Sequence, residues 1–176
     1  MNEIRFHLLN GEQLSYEISI DAQPFVELIR IHEQPLADAE GKPELAGQYM
    51  TLPLLSNYDL GRHYLGDPTV VAENDEKVAL LICGFCGDTG CWPLLAQVEV
   101  SADTVVWSDF EQPHRKNWRY DSFGPFVFDR EQYKSALSEI ALPPDSPVWA
   151  EWRRRWEESY GAPIPEELLP LRLSLD

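Results

Sequence analysis

The sequence LLAQVEVSADTVVWSDF, residues 94–110, contains two strand patterns and the turn between them. Apolar and polar side chains alternate from Ala96 to Val100, which is the period of a strand with one buried face. Residues 101–103 are small or polar and predict a turn, and Thr104–Phe110 is rich in β-branched and aromatic residues. The stretch therefore predicts a β-hairpin in an antiparallel sheet, which we call the central hairpin.

The neighbouring runs extend this sheet. Val78–Cys83 is a short, continuous apolar run, which indicates a strand buried on both faces, and Phe126–Phe128 predicts a further short strand. Near the N-terminus, Arg5–Leu9 and Gln13–Ile20 flank the dipeptide Asn10-Gly11. Because this dipeptide tolerates positive φ at both positions, the segment predicts a second hairpin.

Three segments predict helices. In the first, Asp21 is a candidate N-cap, and four residues then form one face at helical spacing: Phe25, Leu28, Ile29 and His32. The second begins at Asp129, with Gln132 in the capping-box position. The third runs from Pro147 to Gly161 and carries a broad aromatic face of Trp149, Trp152, Trp156 and Tyr160. Because that face is wide, it predicts a homo-oligomer contact through the last helix.

Together these elements predict one α+β domain over residues 1–161, built on an antiparallel β-sheet with about three helices packed at its edges. Residues 162–176 are rich in proline and leucine and predict an extended C-terminal arm. Residues 34–70, rich in proline and glycine, read as a long irregular connection over the core.

The composition excludes several classes of protein. The formal net charge is −16 at pH 7, and a field of that sign repels nucleic acid and anionic lipid. The N-terminus has no apolar core of signal-peptide length, and no run approaches a membrane span. The three cysteines lie too close together to form the disulfide framework of a secreted protein. The sequence therefore predicts a cytoplasmic protein that binds neither nucleic acid nor membrane.

All three cysteines fall within CGFCGDTGCW, residues 83–92. The spacing Cys83-x-x-Cys86-Gly is that of a zinc knuckle, with Cys91 as a third ligand and His114, across the next hairpin, as a fourth. A second CxxC is absent, so the favoured interpretation is a glycine-rich structural turn, and a zinc site is the alternative. A thioredoxin-like role is disfavoured because the glycines and Pro93 oppose a helix after the CxxC.

A cationic segment, residues 111–120, interrupts this acidic chain. Guanidinium groups and aromatic faces suit a carboxylate, a phosphate or an acidic peptide, although the favoured interpretation is that the same groups pair with the protein's own surplus acids and stack on its own aromatic rings. We expect Arg115, Trp118 and Arg119 to lie beside the Cys86–Trp92 turn, because both segments adjoin the outer ends of the central hairpin. The candidate ligand-binding residues are Trp92, Trp107, His114, Arg115, Trp118 and Arg119.

The order of four motifs gives a resemblance. These motifs are GCWPL at 90–94, WSDF at 107–110, QPHR at 112–115 and FVFD at 126–129. In this order the chain resembles a family of small uncharacterised bacterial proteins over most of residues 1–142. The resemblance implies a bacterial origin and transfers no activity and no catalytic residue.

The leading functional hypothesis is a non-enzymatic interaction protein. It would engage a protein partner or a small anionic ligand, and neutralisation of a basic toxin, as immunity proteins do, is one version of this hypothesis. An enzyme with His114 as acid–base group and Arg115 or Arg119 as anion clamp is the alternative. A zinc-stabilised structural module is the third hypothesis.

Overall fold

The computed structural model of the protein describes residues 1–9, 15–54, 59–68, 77–140 and 147–165. These residues form two antiparallel sheets of three and five strands with four α-helices, which confirms the predicted α+β domain. The strands are β1 (Ile4–Leu9), β2 (Ser15–Ile20), β3 (Gln23–Pro24), β4 (Tyr49–Met50), β5 (Val78–Cys83), β6 (Leu94–Val100), β7 (Thr104–Glu111) and β8 (Phe126–Asp129). The helices are α1 (Phe25–Ala39), α2 (Leu60–Tyr64), α3 (Arg130–Ser138) and α4 (Pro147–Tyr160).

The larger sheet has the order β4-β5-β6-β7-β8 and contains the predicted central hairpin. Strands β6 and β7 pair antiparallel, with Val98 opposite Trp107 and Val100 opposite Val105. The register shifts between Leu95 and Gln97, where Asp109 of β7 has a φ of 49°. This bulge places an extra residue on β7 just before the cationic segment, and such a residue increases the local twist of the strand.

The smaller sheet is the predicted N-terminal hairpin β1–β2 with the short strand β3 added to it. Helix α1 follows directly, but its predicted cap is wrong. Asp21 lies in the turn before β3 with a φ of 50°, and its carboxylate accepts hydrogen bonds from Glu3 N and Asn2 Nδ2. The residue that precedes the helix is Pro24, which makes no side-chain cap.

The predicted irregular connection, 34–70, is also wrong in part. Helix α1 continues through Pro35 to Ala39. Proline has no N–H to donate to the Ile31 carbonyl, but the helix tolerates this because Ile31 and Pro35 both lie on its exposed side. A 3₁₀ turn at Pro43–Leu45, strand β4 and helix α2 follow. Residues 55–58 and 69–70 of the connection lie outside the described residues.

The core lies between the two sheets and under the helices. Its largest fully buried side chains include Trp107, Tyr64, Tyr133 and Phe6. Their polar atoms are paired: Trp107 Nε1 donates to Tyr133 Oη at 3.2 Å, and Tyr133 Oη donates to the Tyr64 carbonyl at 2.8 Å. Aromatic rings therefore fill this core without leaving these polar atoms unpaired, which would cost about 1–3 kcal/mol each.

The two C-terminal helices follow the sequence prediction. Asp129 caps α3 by accepting from Gln132 N at 2.9 Å, while the Gln132 side chain bonds the backbone of Ile4 instead of completing a capping box. Helix α4 stacks its aromatic side chains in a ladder, with ring centroids 5.5, 5.3 and 4.3 Å apart along Trp149, Trp152, Trp156 and Tyr160. Most of the predicted arm, residues 166–176, lies outside the described residues. Among the described residues, no helix combines the length and the apolar character needed to cross a membrane.

Candidate metal centre

The first two cysteines lie in a tight turn at the end of β5. Cys83 is the last residue of the strand, and its carbonyl accepts a hydrogen bond from Gly87 N at 2.9 Å. Gly87 has a φ of 70°, a conformation that glycine adopts without cost. The backbone N–H groups of Phe85 and Cys86 point back at the Cys83 sulfur. The turn thus brings the two cysteines of a Cys-x-x-Cys sequence together, the spacing that structural zinc sites use.

The third cysteine is brought back to the first two by Asp88. The Asp88 Oδ1 atom accepts hydrogen bonds from Gly90 N at 2.8 Å and Cys91 N at 3.1 Å. As a result the sulfurs of Cys83, Cys86 and Cys91 all lie within 4.8 Å of one another. We call residues 83–91 the thiol turn.

The sulfur spacing fits one metal ion. Zn–S bonds of about 2.3 Å at a tetrahedral angle separate the sulfurs by about 3.8 Å. The observed separations therefore need to close by at most about 1 Å, which rotation about the side-chain bonds provides. Cys83 is buried, whereas Cys86 and Cys91 are exposed, so an ion can reach the sulfurs from solvent.

The thiols also interact electrostatically. Burial opposes ionisation of Cys83, but the N–H groups of Cys86 and Phe85 hold its pKa below the ordinary value of 9.0. Hydrogen bonds with Cys86 and Cys83 raise the pKa of Cys91 to about 12. A bound cation would displace the protons of these thiols, because the thiolate is the form that binds a metal.

Strand β4 supports the thiol turn from one side. Gly84 N donates to the Gln48 carbonyl at 2.9 Å, and Tyr49 pairs with Cys83 across the sheet. A Cβ atom at Gly84 would lie 3.0–3.1 Å from the backbone of Tyr49, which is tighter than most Cβ contacts. A larger residue at position 84 would therefore push β4 and the turn apart by a few tenths of an ångström.

His114 is not the fourth ligand in this structure. Its Nε2 donates to the Gly90 carbonyl at 2.8 Å, and its ring stacks on Trp92 with 6.5 Å between centroids. Within the described residues, the group of potential ligand atoms contains the three cysteines and not His114. The prediction placed His114 on the correct side of the hairpin, but the side chain holds the backbone next to Cys91 and does not join the sulfurs.

The cationic segment packs against Trp92, the residue that follows the thiol turn, as the sequence predicted for Arg115 and Trp118. The Arg115 guanidinium lies 4.8 Å over the Trp92 ring, and Trp118 contacts the same ring edge-on at 6.1 Å. Glu40, at the end of α1, accepts from Trp118 Nε1 at 2.8 Å and lies 3.3 Å from Arg115 Nε. We call the group Trp92, His114, Arg115 and Trp118 the Trp92 corner.

Two other predicted ligand-binding residues lie elsewhere. Arg119 pairs with Asp121 at 2.9 Å, and both side chains are largely exposed. Arg119 lines a cleft of about 550 Å³ together with Lys116, Arg115 and Lys77, and Lys77 is itself paired with Asp109 and Glu111 at 2.9 Å. The ligand-binding prediction for Trp107 is wrong, because its side chain is fully buried.

The contrast between Arg115 and Arg119 gives a matched pair of substitutions. Arg115→Gln removes the stacking on Trp92 and the pairing with Glu40, so we expect it to lower the free energy of unfolding by about 1–2 kcal/mol. Arg119→Gln should leave stability unchanged within error, because its single ion pair is exposed. Urea unfolding of both variants measures the difference, and equal losses for the two would contradict it.

A buried carboxylate that the sequence analysis missed lies behind the corner. Glu33 of α1 is fully buried, and its oxygens accept from Tyr120 Oη at 2.5 Å, Tyr49 Oη at 2.7 Å and Gly47 N at 2.8 Å. Its spacing from Ile29 on the helix gives the sequence signal of burial, since the three donors, from residues 47–49 and from Tyr120, become visible only in the fold.

Glu33 predicts a pH dependence of stability. Burial raises its pKa above the ordinary value of 4.5, although Gly47, Tyr120, Tyr49 and a nearby His32 partly oppose this. Because the pKa of Glu33 is higher in the folded state, its contribution to the free energy of unfolding is fully present below the pKa of the unfolded state. That contribution is lost as the pH rises through the pKa of the folded state. The free energy of unfolding of wild type minus that of Glu33→Gln, measured in urea, should therefore decrease from pH 4 to pH 8. A difference that stays constant over this range would show that ionisation of Glu33 is not coupled to folding.

Comparison of the chain with family models, curated proteins and solved structures found no match. The motif order discussed above thus remains a resemblance, and the candidate functions depend on the geometry of the thiol turn and the Trp92 corner.

Proposed function

We propose that this protein binds one Zn²⁺ through Cys83, Cys86 and Cys91. The observation that carries the proposal is the convergence of three sulfurs to within 4.8 Å in a knuckle-type turn. Thiolates select soft or borderline ions and disfavour Ca²⁺ and Mg²⁺. Zinc also matches the turn because it binds cysteine thiolates and undergoes no redox change. The N–H donors to the Cys83 sulfur favour the thiolate form that zinc binds.

The ion would organise a binding surface. Cys91 directly precedes Trp92, so a metal that fixes the thiol turn also fixes the ring on which Arg115 stacks. In this proposal the protein is a zinc-dependent interaction protein of the cytoplasm, where thiols stay reduced. A second candidate function is the binding of a small anionic ligand or an acidic segment of a protein partner at the Trp92 corner, where such a ligand would compete with Glu40 for the Arg115 guanidinium that lies over Trp92. Neutralisation of a basic toxin belongs to the same class of interaction, but the cationic character of the corner does not favour it.

The alternative enzyme hypothesis has less support from the geometry. His114 Nε2 is engaged by the Gly90 carbonyl, and the guanidinium groups of Arg115 and Arg119 face Glu40 and Asp121. None of these three contacts pairs an acid–base group with an anion clamp.

The proposal is tested by metal analysis of the purified protein. We expect about one zinc per chain in wild type, and a loss of affinity of more than about 100-fold in Cys86→Ser, since even outer-shell changes cost 10–100-fold. Phe85→Ser is the matched control, because it changes a 93% exposed side chain in the same turn without removing a sulfur. Wild-type protein that binds zinc no more tightly than Cys86→Ser would refute the proposal.

A further inference from the structure

The thiol turn contains fewer ligands than zinc requires. Zinc in proteins is almost always four-coordinate, and a site with three protein ligands completes its shell with water or another exogenous ligand. Within the described part of the chain, the group of donors comprises the three cysteines. Asp88 and His114, two other potential donors, lie outside this group: Asp88 Oδ1 accepts from the Gly90 and Cys91 amides, and His114 Nε2 donates to the Gly90 carbonyl.

The open side of the thiol turn faces solvent. Cys83 is buried against β4, whereas Cys86 and Cys91 are exposed. Phe85, between the first two cysteines, is 93% exposed and so does not cover the sulfurs. A small molecule can therefore reach the sulfurs of Cys86 and Cys91 from solvent.

We infer that a metal held by Cys83, Cys86 and Cys91 keeps a fourth, exchangeable position, and that this position takes an exogenous thiolate. This inference rests on the proposed metal binding. Three thiolates form a soft ligand set, and a further soft sulfur donor is preferred over a carboxylate or a hydroxyl oxygen. On exchange, a metal–sulfur bond forms, the bound water leaves, and the proton of the incoming thiol passes to solvent. The ligand class is thus a small thiol or an exposed cysteine of a partner protein.

Cobalt substitution provides the test. The reduced protein is loaded with Co²⁺ in a phosphine reductant, and 2-mercaptoethanol, imidazole or formate is then added. We expect tetrahedral d–d bands before addition, and a rise of about one third in the sulfur-to-cobalt absorption with 2-mercaptoethanol, as the thiolate count goes from three to four. Imidazole and formate should give smaller changes at equal concentration.

The outcomes separate the two proposals. If Co²⁺ gives no thiolate absorption at all, the proposed metal site is wrong and this inference fails with it. If Co²⁺ binds with thiolate absorption that does not respond to 2-mercaptoethanol, the chain saturates its own metal and only the open position is refuted. A stronger response to formate than to thiol would overturn the assignment of the ligand class. Phe85→Ser, which retains all three sulfurs, should respond as wild type does.

Discussion

Saturation with Zn²⁺ is expected to raise the melting temperature of the reduced protein by about 10 °C. At a free zinc concentration of about 1,000 times the Kd, binding to the folded state alone adds about 4 kcal/mol. A domain of this size gains about 2–4 °C per kcal/mol, so the shift is large enough to measure in a single thermal scan. Calorimetry of the protein with zinc and with a chelator checks it.

The metal-free protein should nevertheless stay folded at 25 °C. The thiol turn lies at the end of β5, and the largest buried rings, among them Trp107, Tyr64 and Phe6, pack in the core on other strands and helices. Cys86→Ser should show no zinc-dependent shift, which makes it the control. Unfolding at 25 °C on chelation would mean that the ion is required for the fold, while a wild-type shift no larger than that of Cys86→Ser would mean that the sulfurs do not hold it.

Trp107→Ala is expected to lower the free energy of unfolding by about 3–5 kcal/mol, the range for truncation of a buried aromatic residue. The Trp107 ring contacts Phe25, Tyr64, Phe128 and Tyr133, so alanine would leave a cavity at the junction of the sheet with α1 and α3. It would also remove the donor to Tyr133 Oη. Urea unfolding monitored by circular dichroism measures the loss.

Trp92→Ala is the comparison for this prediction. Trp92 is only partly buried and packs against Arg115, His114 and Trp118, so its removal should cost less than half as much stability. A larger loss for Trp92→Ala than for Trp107→Ala would reverse our assignment of Trp107 to the core and Trp92 to the corner.

The elements that the sequence predicted well are those formed by local patterns. The alternation in β6, the continuous apolar run of β5 and the cap at Asp129 each contain their own signal within a few residues. Strand β4 has no such signal. It has two residues and exists because Tyr49 and Met50 pair with β5, more than thirty positions away. Tertiary pairing, and not propensity, forms that part of the 34–70 segment.

The candidate site was predictable in its residue types but not in its grouping. The spacing of Cys83 and Cys86 indicated the knuckle, but the return of Cys91 depends on Asp88, whose Asp-x-Gly sequence is the available signal for such a turn. The choice between Trp92 and Trp107 depends on which face of the fold each ring meets. The Trp107 ring is buried because α1 and α3 pack over it, and the sequence pattern of a strand does not show which of its faces a helix will cover.

The glycines at 84, 87 and 90 recur at every third position, but a library of substitutions should separate them into three tolerances. Position 84 should be the least tolerant, because a Cβ atom there would lie only 3.0–3.1 Å from the backbone of Tyr49 and would force β4 to shift. Position 87 should accept asparagine with modest loss, since its constraint is the positive φ and open space surrounds it. Position 90 should accept alanine freely, because its nearest contact is an ordinary 3.4 Å from Asp88 and both of its hydrogen bonds use the backbone. An apparent repeat in this chain is thus three unrelated constraints, and an alignment that scored the three glycines as one motif would misjudge which of them a related chain must keep.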